Sequence, residues 1–553
     1  VVTLGGDSLR TSYHGTLHAS LGEAVLRDGL LPENPYHAGE PLRYYLLYPA
    51  LGSLLGRTGI GPLWGFALLN LIAGLLLGPA LDALGRALGL SFRARRFAFL
   101  WTIFGLNGLG WLWASHSGGP LLDLRSIDGP GEGVALGAMP LALLQGLASS
   151  PFGMTWDARL QSFLPKFLNV SSFALAIPFT LWALAFALRD GRNALFRSAA
   201  HVGVATALNP LAGGLAAVML AARRVRDLRR PGAMLRELAP AVGLALVIAL
   251  PFLLPMLRGG GGGGAAGAMG FNLAGDGPFA NLTGPLLLLW PLGIFGAFTL
   301  ARGRLAFLGG ALALALLLGC APLPWGNEYK FVRLAALLLA LPAGLACDRL
   351  CRTRAGVLVS AALMVFATPT TWLTIRAYSA WNAEVVLVLT RVENGRLALD
   401  ARFEAAFPRS LREAERALPP EAPLLMDPRY PPRMASSVAT GHPLAPLLHR
   451  ALLVDLPQIH NEHAADLEQR LDDWNAYGST RPKSNAESAR PADPAAALAR
   501  LRATVAGRPL AVLLDARASA ARALLLRSGA ELRAQAEGQE LWLLPPATAA
   551  AGT

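Results

Sequence analysis

The sequence predicts a mainly α-helical, polytopic membrane protein that ends in a small extracytoplasmic α/β domain. Three observations predict it. Only 15% of the 553 residues are charged while 53% are apolar, the mean hydropathy is +0.42, and long apolar stretches alternate with arginine clusters. A soluble domain carries roughly 25% charged residues, and about 20 helical residues cross a hydrocarbon core. The composition excludes a disordered tail protein and argues against a purely soluble enzyme.

Candidate spans cover 63–84, 97–114, 173–188, 238–257, 285–301, 305–320, 334–350 and 357–375. Residues 134–147 read as a short or re-entrant helix, and 44–55 as a span or an interfacial helix. Cytoplasmic loops accumulate positive side chains, so inner loops are marked by Arg86, Arg93, Arg95 and Arg96, by Arg189, Arg192 and Arg197, by the run from Arg223 to Arg236, by Arg302 and Arg304, and by Arg349, Arg352 and Arg354. Loops 1–62, 115–172, 258–284 and 321–333, and everything after about 376, then fall outside. The net charge of +13 is thus a topology signal, and no nucleic-acid partner is expected.

Segment 198–222 breaks the alternation, having arginines on both sides. Asn209-Pro210 stands in its middle, and a proline removes a backbone donor. Two half-helices meeting there restore the parity.

After residue 378 the composition turns polar. Strand-like runs at 424–426, 510–514 and 541–544 alternate with helical patterns at 464–474, 495–505 and 518–526. This predicts a domain over 379–553, following a membrane domain over 1–378. Residues 479–494 read as a loop, and glycines 259–264 as a linker. Cys320, Cys347 and Cys351 form no spaced ligand set. The stub Val1–Leu4 is too short for a span, so a first helix is expected to precede it.

The first external loop carries the chemistry-bearing residues. Asp7 follows the apolar stub and is placed at the external surface, where a carboxylate can take a proton from a hydroxyl or hold a cation. Its alternative role is to cap the next helix. His14 and His18 share a helical spacing but have no evident third ligand, so they read as ordinary loop histidines. Arg43 precedes Tyr44 and Tyr45. Asp157 and Arg159 lie in the second external loop, where an acid can bind a sugar hydroxyl or pair with its neighbour. Glu328, Lys330 and Arg333 stand where an external loop enters a span. Cations near the membrane surface suit a phosphate leaving group; as structural residues they would be snorkelling anchors.

These features together resemble a family. The Asp after a first span, the following His, the turn Gly29-Leu30-Leu31-Pro32-Glu33-Asn34-Pro35, the pair Tyr44-Tyr45, Trp156-Asp157-Ala158-Arg159, Asn209-Pro210 and Asn327-Glu328-Tyr329-Lys330-Phe331 are similar to the GT-C superfamily of integral-membrane glycosyltransferases, in particular its subgroup with a Tyr-rich motif. The resemblance covers most of the membrane part, and the C-terminal portion resembles the external domain of such proteins. It implies inverting hexosyl or pentosyl transfer from a polyprenyl-phosphate carrier to a lipid, glycan or protein acceptor, with Asp7 as base and His14, Arg43, Tyr44, Tyr45, Asp157, Arg159, Glu328, Lys330 and Arg333 binding substrate. The implied setting is a prokaryotic plasma membrane, with membrane lipids as further partners. Ser8 stands where a second acid would follow Asp7, which leaves open the use of a divalent cation, magnesium or manganese.

Two other classes fit the composition. A transporter or flippase of lipid-linked substrates would want ionisable residues inside the spans, for which Asp82, Asp348 and His201 are the candidates. A non-catalytic scaffold with an external binding domain needs none. Gly6-Asp7-Ser8-Leu9 also matches the nucleophile block of GDSL esterases, but the Asp-x-x-His block that would supply their base is absent.

Overall fold

A computed structural model of the protein describes residues 8–9, 13–60, 62–105, 171–225, 231–257, 288–319, 329–384, 390–393, 396–399, 407–426, 445–455, 466–477, 493–505 and 507–547. The chain forms two compact units. One comprises Ala67–Pro251 and Ala265–Val385; the other comprises Val2–Phe66, Phe252–Gly264 and Val386–Thr553.

The chain begins with a short strand, β1 (Ser8–Leu9), and a helix, α1 (Tyr13–Asp28). Gly29, at φ +80°, ends α1 in a conformation that favours glycine. Helix α2 (Leu47–Leu55) packs on α1, and a Cβ on Gly22 would stand 2.5 Å from the Pro49 carbonyl. At nine residues α2 is too short to cross a bilayer, which excludes the reading of 44–55 as a span.

Among the described residues ten helices follow: α3 (Pro62–Ala87), α4 (Phe92–Phe104), α5 (Ser172–Ala187), α6 (Arg192–Leu208), α7 (Pro210–Val225), α8 (Pro231–Leu257), α9 (Leu289–Ala297), α10 (Arg302–Gly319), α11 (Tyr329–Leu350) and α12 (Arg354–Glu384). Among the described residues four stretches are long and apolar enough to span a membrane: Trp64–Ala87, Arg236–Leu257, Arg302–Gly319 and Lys330–Leu350. The last is 94% buried and Arg236–Leu257 only 17%, so α11 is the centre of its unit and α8 presents its apolar side chains outward, as lipid-facing helices do.

Small residues let the helices around α11 approach closely. A Cβ on Gly296 of α9 would collide with the Pro342 carbonyl, and one on Gly344 of α11 with the Ala94 carbonyl of α4. Within the apolar run 285–301 the described residues form a helix over Leu289–Ala297, closed by turns at Thr299 and Leu300.

The expected break is present. Asn209 is extended (φ −156°, ψ 107°) between α6 and α7, and both helices pack on α5 and on each other. A Cβ on Gly213 would strike the Thr206 backbone, so the chain folds back on itself within a turn of the proline.

Beyond α12 the hairpin β2 (Thr390–Glu393) and β3 (Arg396–Leu399) takes β1 as a third antiparallel strand, with Ser8 opposite Arg391. Next come α13 (Arg409–Ala417), β4 (Leu424–Met426), α14 (Leu467–Tyr477), α15 (Pro494–Ala503), β5 (Leu510–Asp515), α16 (Ser519–Arg527), β6 (Glu531–Ala536) and β7 (Gln539–Leu544). They build a sheet of order β4-β5-β7-β6, parallel at β4-β5 and antiparallel elsewhere. Its buried strands β5 and β7 are apolar runs, whereas the edge strand β6 is mostly exposed and polar. Leu425, Val512, Trp542, Leu498, Leu501 and Trp474 form the core between sheet and helices.

Candidate functional site

The first loop is held by the chain's last quarter. The Ala38 N–H donates to the Leu452 carbonyl at 2.8 Å and the Leu452 N–H to that of Pro35 at 2.9 Å. Glu33 accepts the Gly39 N–H at 2.6 Å and pairs with Arg508 at 2.6 Å. His37, fully buried, donates from Nε2 to Asp466 at 2.8 Å. Arg470 binds Asp466 at 2.6 Å and donates to the Ala38 and Leu453 carbonyls at 2.7 and 2.9 Å. Residues 29–46 are therefore tied by hydrogen bonds and ion pairs to the C-terminal part of the same unit.

These partners shape the local titrations. Burial and the neighbouring Arg470 hold the His37 imidazole below its ordinary value, against the pull of Asp466. Burial pushes the other way on Asp466, but the hydrogen bond from His37 and the Arg470 charge hold its carboxyl below the usual range. Burial raises the Tyr36 phenol, and it raises Glu23 in spite of Arg57, 3.6 Å away.

Tyr44 and Tyr45 are stacked, with ring centroids 4.1 Å apart, and Tyr44 Oη donates to Tyr45 Oη at 2.9 Å. Both are part-buried, and Arg43 beside them is exposed. His18 is not a loop histidine: it is buried in α1, 4.9 Å from the Tyr48 ring and 5.9 Å from those of Tyr44 and Phe66. His14 also lies in α1; its side chain, like Asp7, Asp157, Arg159 and Glu328, lies outside the described residues.

In the helical unit, Lys330 and Arg333 occupy the first turns of α11. Lys330 is half-buried; Arg333 is 1% exposed, one of the largest fully enclosed side chains of the protein.

A second polar group was hidden in the apolar pattern. Asn70 of α3 accepts the Ser171 N–H at 3.4 Å, Asn209 Nδ2 donates to Ser172 at 3.5 Å, and Asn209 Oδ1 caps α7 through the Ala212 N–H at 3.4 Å. All four are buried. The available signal was an asparagine inside the run Leu68-Leu69-Asn70-Leu71.

The three candidate intramembrane ionisable residues have structural partners. Asp82 pairs with Arg86 and Arg95 at 2.6 and 3.2 Å. Asp348 accepts Ser91 Oγ at 2.7 Å and lies 3.5 Å from Arg93. His201, in the middle of α6, donates from Nδ1 to the Arg197 carbonyl at 2.6 Å and packs among Phe179, Trp182 and Phe186. Among the described residues no group of three His, Cys, Asp or Glu side chains is placed to hold a metal.

No protein-family model matches the chain, and no curated protein does. Solved structures that match over most of its length include apo ArnT from Cupriavidus metallidurans, with TM-score 0.45 and 13% identity over 96% of this chain and 93% of that one. ArnT from the same organism bound to undecaprenyl phosphate gives 0.46 and 14% over 97% and 94%. The apo oligosaccharyltransferase of Archaeoglobus fulgidus gives 0.40 and 15% over 92% and 66%.

Proposed function

We propose that the chain is a membrane glycosyltransferase of the GT-C type, moving a sugar from a polyprenyl-phosphate carrier to an acceptor hydroxyl at the extracytoplasmic face. In this reading Asp7 takes the acceptor proton, and the acceptor oxygen attacks the anomeric carbon with inversion. The bond from that carbon to the phosphate oxygen breaks, and the carrier leaves as a polyprenyl phosphate. Lys330 and Arg333 neutralise the charge that grows on the leaving oxygen, where low dielectric makes such stabilisation strong. Arg43, Tyr44, Tyr45, His14, Asp157, Arg159 and Glu328 are assigned to substrate binding, the tyrosines through a paired ring face suited to a sugar or an isoprenoid.

The observation that carries the reading is Arg333, enclosed in the turn after Lys330 at the head of α11, whose span is 94% buried. Two cations within one turn at the head of a helix match the charge of a phosphate leaving group. The union of the first loop with the C-terminal sheet adds support, because a loop bearing base and tyrosines has to be held in a defined conformation.

The test uses purified full chain with a panel of polyprenyl-phosphate sugars and reads release of carrier phosphate. Wild type releases carrier from at least one donor, and Asp7→Asn does not. Equal release by Asp7→Asn would remove Asp7 from the reaction; no release from any donor would remove the transferase reading.

A further inference from the structure

A groove of about 360 Å³ lies between α3 and α4, lined by Gly78, Leu81, Asp82, Phe92, Arg95, Arg96, Phe99 and Leu100. The sequence builds it from two helical faces: 78, 81 and 82 on α3, and 92, 95, 96, 99 and 100 on α4, each at three- and four-residue spacing. Its floor is apolar, and Phe99 and Leu100 are exposed. Gly78 leaves the floor open: a Cβ there would stand 3.6 Å from Phe99, in ordinary contact, so any longer side chain would enter the groove.

The rim is cationic. Asp82 fixes Arg95 at 3.2 Å and Arg86 at 2.6 Å. Arg96 is exposed and lies over the Phe92 ring, 4.2 Å from its centroid, with no acid paired to it among the described residues. The connecting turn brings a further cation, Arg304, which donates to the Leu88 carbonyl at 3.2 Å. Gly78 is nine residues from the end of α3, about 14 Å along a helix. The groove therefore runs from the arginine-rich connection of α3 and α4 along the apolar stretch Trp64–Ala87.

The geometry points to a binding site for one anionic phospholipid of the leaflet at that end, its phosphate on Arg96 and Arg95 and an acyl chain along Leu81, Gly78, Phe99 and Leu100. Charge complementarity selects the headgroup, since basic pockets between spans on this side attract anionic lipids; the apolar floor selects a lipid over a free anion. The site goes beyond the transfer reaction and uses none of its residues.

Full-length protein is reconstituted in nanodiscs of phosphatidylglycerol and phosphatidylcholine at equal mole fraction, and retained lipid is counted by native mass spectrometry. Wild type retains phosphatidylglycerol in preference. Arg96→Ala lowers that preference about fivefold, the equivalent of ~1 kcal/mol for one arginine at an anionic surface. Gly78→Leu, which keeps every arginine, abolishes retention of the lipid, and Arg192→Ala, an exposed cation on α6, leaves the preference as in wild type. A preference that survives both Arg96→Ala and Gly78→Leu overturns the site. So does displacement of the lipid by millimolar inorganic phosphate, which would mark a free-anion site, or a lipid-free dimer, which would mark a second copy as the occupant.

Discussion

Glu33 and Arg508, 475 positions apart, form a two-point ion pair at 2.6 and 3.2 Å. Glu33 also binds the Gly39 N–H, and Arg508 donates to the Glu421 carbonyl at 2.6 Å, so the pair joins the first loop to the C-terminal sheet. Both side chains are partly exposed, which limits the pair to about 1 kcal/mol. Arg508→Ala is expected to lower the melting temperature by a few degrees, with proteolysis beginning between residues 29 and 46. An unchanged melt and cleavage pattern would show that the backbone bonds hold the loop alone.

The His37 and Asp466 pair sets an acid limit. His37 is lowered from 6.5 and Asp466 from 3.8, so in both cases the unfolded chain binds protons that the folded one refuses. Stability rises with pH through such a window. The His37 contribution is whole above its unfolded value near 6.5 and declines as pH falls toward its folded one; the Asp466 contribution is lost lower, as pH falls below 3.8. Melting curves between pH 7.5 and 5 should show a falling midpoint, and His37→Gln should flatten that slope. A slope identical in the variant would locate the sensitivity elsewhere.

Lys330→Ala should reduce carrier release by about a hundredfold or more, as expected when a group stabilising transition-state charge is removed. Lys330 is only half-buried, so the variant should still enter detergent as a monodisperse protein. Normal turnover by that protein would take Lys330 out of the site.

The hairpin of α6 and α7 depends on Gly213. Any Cβ there meets the Thr206 backbone, and backbone cannot rotate away as a side chain can. Gly213→Val is expected to cost about 1–3 kcal/mol, the usual range for overpacking, whereas Gly214→Ala, at an open position, should be neutral. Thermal melts of the two variants side by side would separate the cases.

The helices were legible because a span must be apolar throughout, and Asn209-Pro210 was legible because proline leaves a mark in any helix. β5 and β7 could be read as buried apolar runs. β6, α13 and the hairpin of β2 and β3 could not, since their mixed polar sequences carry no face pattern strong enough to separate strand from loop. The short α9 was overestimated because a run of apolar residues says nothing about the turn at Thr299. Partnerships such as His37 with Asp466, 429 residues apart, leave no local trace at all. Arg333 was visible as a cation, but its enclosure was not.

The weaving of residues 29–46 into strands and helices that lie beyond residue 420 has a consequence for biogenesis. The ribosome delivers the loop before α3 and delivers Arg508 after α12, so the early segment has to wait unpaired while the helices between them are inserted. Such distant pairings close slowly, and domains completed late are exposed to misassembly in the interval. A nascent chain stopped ahead of β5 would thus carry residues 29–46 without their clasp, and quality-control proteases should cleave it there.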